Sequence, residues 1–184
     1  GIDVLLLTDP SNMAWISGYD GWSFYVHQGV LIGPTGEPVF WGRKMDANGA
    51  LIKCYMKDEN IIGYDDDYVM SSSSHAMEHL IEVICERGWN RMRIGLEMEN
   101  YYFSARAYKI LENTFGELII DATCLVNWLR AVKSETELSY MRRAARIVEA
   151  MHERIRDTFK PGVRKCDIVA EIYDAALRGS VDDK

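Results

Sequence analysis

Short apolar runs alternate with helix-like segments through residues 1–131, and this alternation limits the possible folds more than any other feature of the sequence. The strand-like runs are residues 2–8, 26–33, 39–41, 60–64, 93–97 and 118–120. Helical patterns occupy residues 10–16, 44–55, 75–87, 102–115 and 124–131. A chain with this order forms a mixed sheet with helices against its faces. We therefore predict an α/β fold for this part of the chain.

The pattern changes at Lys133. Residues 134–137 read Ser-Glu-Thr-Glu, a capping box that predicts the start of a helix. Apolar side chains then recur every three or four residues on one helix face: Leu138, Met141, Ala145, Val148, Met151, Ile155 and Phe159. Pro161-Gly162 ends this helix, and a second amphipathic helix is predicted over 167–177. Two such helices cannot form a core alone. They lie against the first domain or, as we expect, against something that this chain does not contain.

Charge and composition exclude several classes of function. The 184 residues carry a net charge of −7, whereas binding to nucleic acid needs a basic surface. No window of the sequence is apolar enough for a membrane helix, and no signal peptide opens it. The four cysteines lack metal-site spacing and predict buried, reduced thiols in a cytoplasmic protein. Because strand-like sequence begins directly after Gly1, we expect a piece of a longer chain.

The loop between the first helix and the second strand is the most distinctive candidate for a binding site. Residues 19–28 carry Trp22, Phe24 and Tyr25, among glycines at positions 18, 21 and 29. Aromatic rings offer a ligand flat apolar area, and tyrosine adds a hydroxyl group. Such a loop either packs as a corner against its own domain or forms one wall of a site. The residues alone leave both alternatives open.

No catalytic or metal-binding constellation emerges from the residues themselves. His75 and His79 have the i, i+4 spacing of a zinc pair, but the glutamate of the zincin motif is missing, so a solvated helix start is the better interpretation. His27 is interpreted as a strand-edge histidine with one hydrogen-bond partner. Nothing in the sequence brings Glu97 and Glu99 to a shared site, and no Ser-His-Asp or Cys-His set can be assembled.

Two segments resemble one family. The first, residues 1–19, resembles the start of the N-terminal domain of the creatinase, prolidase and aminopeptidase P family; it reads GIDVLLLTDPSNMAWISGY. The second, residues 126–146, resembles the passage of that family into its catalytic domain; it reads VNWLRAVKSETELSYMRRAAR. In the family a Leu-Arg-x-x-Lys-Ser/Thr-x-x-Glu pattern leads there into the first long helix. The resemblance continues with Lys160-Pro-Gly-Val and covers almost the whole chain.

The resemblance implies a fold and a division of function. Residues 1–131 would form a ribonuclease-H-like N-terminal domain, a mixed sheet with helices on both faces. Residues 132–184 would form the first two helices of a truncated pita-bread catalytic domain. The catalytic residues of the family, two Asp, one His and two Glu, would follow Lys184 together with any divalent metal (Mn, Co or Zn). This chain would hold no cofactor and no metal, and because relatives in the creatinase branch replace metal ligands, metal dependence stays open.

The same resemblance implies partners and site residues. In the family, the loop after the first short helix covers the active site of the partner subunit in a homodimer. Trp22, Phe24 and Tyr25 are therefore candidate contacts for a small-molecule or dipeptide substrate. Arg43 is a further candidate, for an anion contact. Val26 stands where creatinase has an arginine, which argues against a creatine-like carboxylate clamp.

Within the family, the loop most resembles the ectoine hydrolase branch, whose members open the cyclic amidine of an osmolyte. We therefore expect the noncatalytic N-terminal part of a hydrolase that cleaves a C–N bond, either ectoine-hydrolase-like or Xaa-Pro-peptidase-like. A catalytically inactive protein-binding module of the same fold is the alternative. If the chain is part of a hydrolase, the catalytic Asp, Asp, His, Glu and Glu follow Lys184; if it is the protein-binding module, they do not.

Overall fold

The computed structural model describes residues 1–21, 23 and 25–179 and shows an alternation of strands and helices. The strands are β1 (Val4–Leu7), β2 (Gly29–Ile32), β3 (Val39–Arg43), β4 (Ile61–Tyr64), β5 (Ile94–Leu96) and β6 (Ile119–Asp121). The helices are α1 (Pro10–Ser17), α2 (Lys44–Lys53), α3 (Ala76–Glu86), α4 (Ala105–Phe115), α5 (Leu125–Ala131), α6 (Glu135–Thr158) and α7 (Lys165–Arg178). Short 3₁₀ turns lie at Asp58–Asn60, Asp66–Tyr68 and Gly116–Leu118. The predicted strands and helices are present, with ends that differ by a few residues.

The strands form a mixed sheet in the order β4-β3-β2-β1-β5-β6. β2 runs antiparallel to both of its neighbours, β1 and β3. The other pairs, β1 with β5, β5 with β6 and β3 with β4, are parallel. Parallel strands need a crossover connection, and the intervening helices supply it. All strands except β2 therefore point the same way, so their carboxyl ends share one edge of the sheet.

Alternate side chains of the same strands supply two separate hydrophobic cores. On one face, Leu6 and Trp41 pack with residues of α3 and α4. On the other face, Leu7 and Phe40 pack with residues of α1, α2 and α5. Successive residues of a strand point to opposite faces, which explains the division. Helices cover both faces of the sheet, and the predicted fold class is confirmed.

The start and end signals of two helices act as the sequence indicates. The Asp9 side chain accepts hydrogen bonds from the backbone N–H groups of Ser11 and Asn12 at the start of α1. Gly18 ends this helix with a φ of 79°, a conformation that favours glycine. The capping box before α6 is present, with the Ser134 hydroxyl and the Glu137 carboxylate each accepting from the other's backbone N–H.

The chain divides into two compact units, Gly1–Leu129 and Arg130–Lys184. The first unit contains the whole sheet. In the second unit α6 and α7 pack against each other, and Arg154 forms an ion pair with Glu171 at 3.5 Å. Among the residues of this unit that the structure describes, Ala175 alone is buried. The apolar stripe predicted on α6 is therefore not enclosed within the second unit.

The cysteines are free thiols, but the prediction that they are buried is wrong. Cys54 is half-buried, whereas Cys85, Cys124 and Cys166 are exposed. Cys85 and Cys166 lie on amphipathic helices, α3 and α7, whose other faces carry the apolar contacts. Helical periodicity identifies an apolar stripe, but a small residue just outside it stays in contact with solvent.

Candidate functional site

Two of the predicted site residues meet at the sheet edge formed by the carboxyl ends of the strands. Arg43 is the last residue of β3, and Tyr25 lies in the loop that enters β2 at the same edge. The Arg43 guanidinium donates a hydrogen bond to the Tyr25 hydroxyl, with 3.4 Å between Nη1 and Oη. Tyr25 is 56% exposed. The other two predicted contacts, Trp22 and Phe24, lie outside the described residues.

Arg43 forms a two-pronged ion pair with Asp66. Its Nε lies 2.6 Å from Oδ1 and its Nη2 lies 2.8 Å from Oδ2. The hydrogen bonds from Arg43 lower the pKa of Asp66 below its usual range. Because Asp66 begins the 3₁₀ turn after β4, the pair ties that turn to the end of β3 and gives Tyr25 a fixed neighbour. An anion contact for Arg43 stays a prediction, since a ligand would share the guanidinium with Asp66.

The loop that carries Tyr25 is anchored at both ends. At its start, the Ser17 hydroxyl donates to the Met13 carbonyl at 2.7 Å and accepts from the Tyr19 N–H at 3.1 Å. The Tyr19 ring packs on Phe40 with 4.6 Å between centroids, and burial raises the pKa of Tyr19 to about 12. At its end, Gln28 is buried. The two ends of the loop are therefore held in place, and Tyr25 lies between them.

The buried Gln28 is only partly satisfied. Its Nε2 donates to the Gly21 carbonyl at 3.4 Å, a long hydrogen bond across the loop. Its Oε1 has no hydrogen-bond partner among the described residues, although the atom is inaccessible to solvent. A buried acceptor without a donor lowers the stability of the folded state. Gln28 therefore closes the loop but also destabilises the fold through its unpaired oxygen.

A cavity of about 190 Å³ opens beside Tyr25 at the same edge, and we name it the histidine cavity. Its walls come from the loop before β2, the end of β4, the segment leading into α3 and the first turn of α4. Its polar and aromatic lining includes Tyr25, His27, Tyr64, Tyr68, His75 and Arg106. Ligands of open α/β sheets commonly bind outside the carboxyl ends of the strands, and this cavity lies there.

Two imidazole rings pack together in the histidine cavity. The rings of His27 and His75 have their centroids 5.0 Å apart. Burial lowers the pKa of His27, and a hydrogen bond to the backbone of Tyr102 opposes the shift. Burial lowers the pKa of His75 to about 4, and the proximity of His27 and of the Arg106 guanidinium adds to the effect. Both rings are therefore neutral at pH 7.

The interpretation of His75 and His79 as a solvated helix start is wrong. His75 caps α3, because its Nδ1 accepts from the Met77 N–H at 3.2 Å. In a neutral ring whose Nδ1 accepts, the proton is on Nε2, which stays a donor. His79 Nδ1 accepts from the Trp41 indole N–H at 3.1 Å. The two side chains thus face different partners, one in the cavity and one in the core.

Tyr64, in the lining of the histidine cavity, is held by a hydrogen bond and by ring packing. The Tyr64 hydroxyl donates to the His27 carbonyl at 2.5 Å, and the Tyr64 ring packs on Trp41 with 5.0 Å between centroids. Burial raises the pKa of Tyr64, so the phenol stays neutral. A second cavity, of about 200 Å³, shares Tyr25, Val26 and His27 with the first. Residues 25–27 therefore form a wall common to both cavities.

A buried carboxylate lies at the same edge of the sheet, directly after β5. Glu97 Oε2 accepts from the backbone N–H groups of Thr8 at 2.7 Å and Asp9 at 2.9 Å, and Oε1 accepts from Asn12 Nδ2 at 2.5 Å. Burial raises the pKa of Glu97, and these hydrogen bonds oppose the shift. The side chain joins the start of α1 to the end of β5. Glu97 and Glu99 also line one small cavity of about 40 Å³, which the sequence did not lead us to expect.

Sequence reasoning did not place three side chains at this edge: Glu97 and His75, which it considered and set aside, and Arg106. Glu97 is an acidic residue at the end of an apolar strand run, which is a signal for a buried, hydrogen-bonded carboxylate. His75 occupies an N-cap position before an apolar helix, where its ring nitrogen can accept. For Arg106 the sequence offers no signal, because only the packing of α3 and α4 on the same face of the sheet brings it to the cavity.

Metal-ligand groups and membrane spans are not found in the part of the chain that the structure describes. There, no three His, Cys, Asp or Glu side chains are arranged to hold a metal ion. None of the helices described is long and apolar enough to span a bilayer.

The fold is that of an α/β domain of the kind found in prolidases. A Xaa-Pro dipeptidase from Bacillus anthracis matches with a TM-score of 0.70 at 20% identity, over 97% of this chain and 45% of that one. The prolidase from Pyrococcus horikoshii matches with a TM-score of 0.68 at 15% identity, over 98% of this chain and 46% of that one. At such identities the likeness shows the fold.

Comparison of the sequence with known proteins identifies the family. The model of the creatinase/prolidase N-terminal domain matches residues 1–132, and the chain belongs to this family. It is 52% identical to an ectoine hydrolase from Halomonas elongata, over 97% of this chain and 45% of that protein. It is 39% identical to an uncharacterized hydrolase/peptidase from Sinorhizobium fredii, over 97% of this chain and 46% of that protein. The chain therefore spans about half the length of these curated relatives.

Proposed function

We propose that this chain is the noncatalytic N-terminal part of a cytoplasmic hydrolase that cleaves a C–N bond, with a small cyclic amidine of the ectoine type as its substrate. The observation that carries the proposal is the 52% identity with an ectoine hydrolase over 97% of the chain. The structural likeness to prolidases supports the same family of reactions with a different substrate, an Xaa-Pro dipeptide.

In this proposal the two halves of the chain have different tasks. Residues 1–131 form the N-terminal domain, and residues 132–184 begin the catalytic domain, whose remainder covers the apolar stripe of α6. The exposed stripe supports this assignment, because an amphipathic helix requires a cover for its apolar face.

The loop of residues 19–28 serves as a lid over the active site of the partner subunit in a homodimer. Two features support this role. The loop is anchored at both ends, and Tyr25 between them is exposed beside two cavities. Trp22, Phe24 and Tyr25 would then bound the substrate with flat faces, and Arg43 would brace Tyr25 through its hydroxyl.

The substrate is tested on the full-length protein. We expect turnover of ectoine and none of creatine, with Xaa-Pro dipeptides turned over at least about a hundredfold more slowly as judged by kcat/KM. Faster cleavage of a prolyl dipeptide would replace the ectoine assignment with a peptidase. Complete inactivity, together with a sequence that lacks the Asp, Asp, His, Glu, Glu series, would favour the protein-binding module.

The lid is tested by aromatic substitutions in the same full-length enzyme. Trp22→Ala should lower kcat/KM by more than about tenfold and leave the melting temperature nearly unchanged, because the ring bounds substrate rather than the core. Tyr55→Ala is the matched control, since Tyr55 is 65% exposed and lines neither of the cavities beside Tyr25. Equal losses of activity and stability in Trp22→Ala would show that the ring only packs.

A further inference from the structure

The histidine cavity differs in charge from the protein around it. The chain carries a net charge of −7, yet no acidic side chain is among the described residues that line the cavity. Its one charged lining residue within the described part of the chain is Arg106, in the first turn of α4. The lining of the cavity is therefore positively charged although the protein is acidic. This local charge favours the binding of anions.

Arg106 differs from several arginines of the chain in its contacts. Four others, Arg43, Arg93, Arg164 and Arg178, each form an ion pair with an aspartate. Arg106 makes no ion pair or hydrogen bond within the described residues. A guanidinium offers five N–H donors in a planar fork that matches a carboxylate. The guanidinium of Arg106 is thus available to a ligand in a way that the guanidinium of Arg43 is not.

His75 supplies a second donor. Its Nδ1 is occupied by the Met77 N–H, so its Nε2 carries the proton and can donate to an anion. The nearest acidic group on the same helix, Glu78, already accepts the backbone N–H of His75 at 3.3 Å. The cavity thus offers a fixed neutral donor beside an unpaired cation.

The remaining walls suit a flat organic body. Tyr25, Tyr64 and Tyr68 line the cavity, and of these Tyr25 and Tyr68 have rings that solvent can reach. At about 190 Å³ the cavity is smaller than the pockets that hold drug-sized molecules, which limits the ligand to about the size of an amino acid. A single unpaired cation matches a singly charged anion better than it matches a phosphate dianion.

We infer that the histidine cavity binds a small monocarboxylate with a flat body, through the Arg106 guanidinium and His75 Nε2–H, with the tyrosine rings against its body. The inference goes beyond the proposed function, since the cavity lies within the first unit and needs neither a dimer nor a catalytic domain. The cavity shares Tyr25 with the proposed lid, but Arg106 and His75 take no part in the lid, so a variant of Arg106 tests this inference separately.

The probe is benzoate, a carboxylate on a flat ring, and benzamide is its uncharged isostere. Titration of benzoate into the 184-residue chain at pH 7 should shift the imidazole ¹⁵N resonances of His75 and His27 with saturation. Benzamide and inorganic phosphate should each bind at least about tenfold more weakly than benzoate, because one lacks the charge and the other lacks the body. Phosphate binding as tight as that of benzoate would overturn the inference.

Arg106→Gln is the decisive variant. It should weaken benzoate binding at least about tenfold with unchanged circular dichroism, because Arg106 is exposed and unpaired. Arg91→Gln is the matched control, an exposed arginine outside the cavity, and should change the affinity by less than about twofold. Benzoate binding that is equal in the wild type and in Arg106→Gln, or the lack of any shift at His75, would overturn the assignment.

Discussion

Both compact units contain amphipathic helices, yet the units differ in what covers the apolar faces of those helices. In the first unit the helices bury apolar side chains against the sheet, and Trp41, Phe40 and Leu80 are completely buried. In the second unit α6 and α7 cover each other only in part, and among its described residues Ala175 alone is buried. An amphipathic pattern therefore predicts a helix reliably but leaves open what the helix packs against.

The difference follows from geometry. A sheet offers two continuous faces, so helices on both sides complete two cores within one chain. A pair of helices offers one seam, and the side chains that point away from that seam stay exposed. The exposed members of the second unit include large apolar side chains: Tyr140, Met141, Val148, Phe159, Tyr173 and Leu177.

The largest expected effect is on the free energy of unfolding, and it is found by comparing one leucine from each unit. Leu80→Ala should lower the free energy of unfolding by about 2–5 kcal/mol, because Leu80 is fully buried between α3 and the sheet. Leu177→Ala should change it by about 0.5 kcal/mol or less, because Leu177 is 85% exposed.

Urea denaturation measures both variants. All five tryptophans precede residue 130, so their fluorescence reports on the first unit, while circular dichroism at 222 nm reports on both units. If Leu177→Ala proved as costly as Leu80→Ala, the second unit would have an enclosed core of its own, and the contrast between the units would be false.

A second comparison concerns one glutamate from each unit. Glu97→Gln should lower the free energy of unfolding by about 1–3 kcal/mol, because the new amide group places a donor where three donors already converge. Glu171→Gln should cost less than about 1 kcal/mol, because the ion pair of Glu171 with Arg154 is exposed to solvent. Thermal and urea denaturation at pH 7 check both values, and a neutral Glu97→Gln would show that the carboxylate does not anchor α1 to β5.

The smallest expected effect is a pH dependence. The pKa of His75 is lowered to about 4, so the folded state binds fewer protons than the unfolded state between that value and the ordinary histidine pKa of about 6.5. The stabilising contribution is complete above the ordinary value and is lost as the pH falls toward 4. Since His75 is only half-buried, we expect a loss on the order of 1 kcal/mol.

His75→Asn isolates this effect, because asparagine retains the cap of α3 but does not titrate. Urea denaturation at a series of pH values from 7 to 4 should show that the free energy of unfolding falls less steeply with pH in this variant than in the wild type. His152→Asn, which removes an exposed imidazole from α6, is the reference variant. If the free energy of unfolding depended on pH in the same way in His75→Asn and in the wild type, the loss of stability in acid would be due to other groups.

Much of the fold could be predicted because its signals are local. The apolar strand runs, the Asp9 and Ser134 caps and the glycine that ends α1 act within a few residues of where they stand. The candidate site was predicted less well, because its contacts are long-range. Arg43 meets Asp66 across 23 positions, and Glu97 meets Thr8 across 89. No periodicity within one element indicates such a pair.

The sequence by itself determined the order of strands and helices, the family, and the loop that carries the exposed Tyr25. Backbone preference, side-chain periodicity and caps are properties of neighbouring residues, so they can be read along the chain. Only the tertiary structure decided that His27, His75 and Arg106 share one cavity, that the Arg43 guanidinium is already paired, and that the cysteines are mostly exposed. Burial and charge pairing depend on which distant elements pack together, and that is a property of the whole fold.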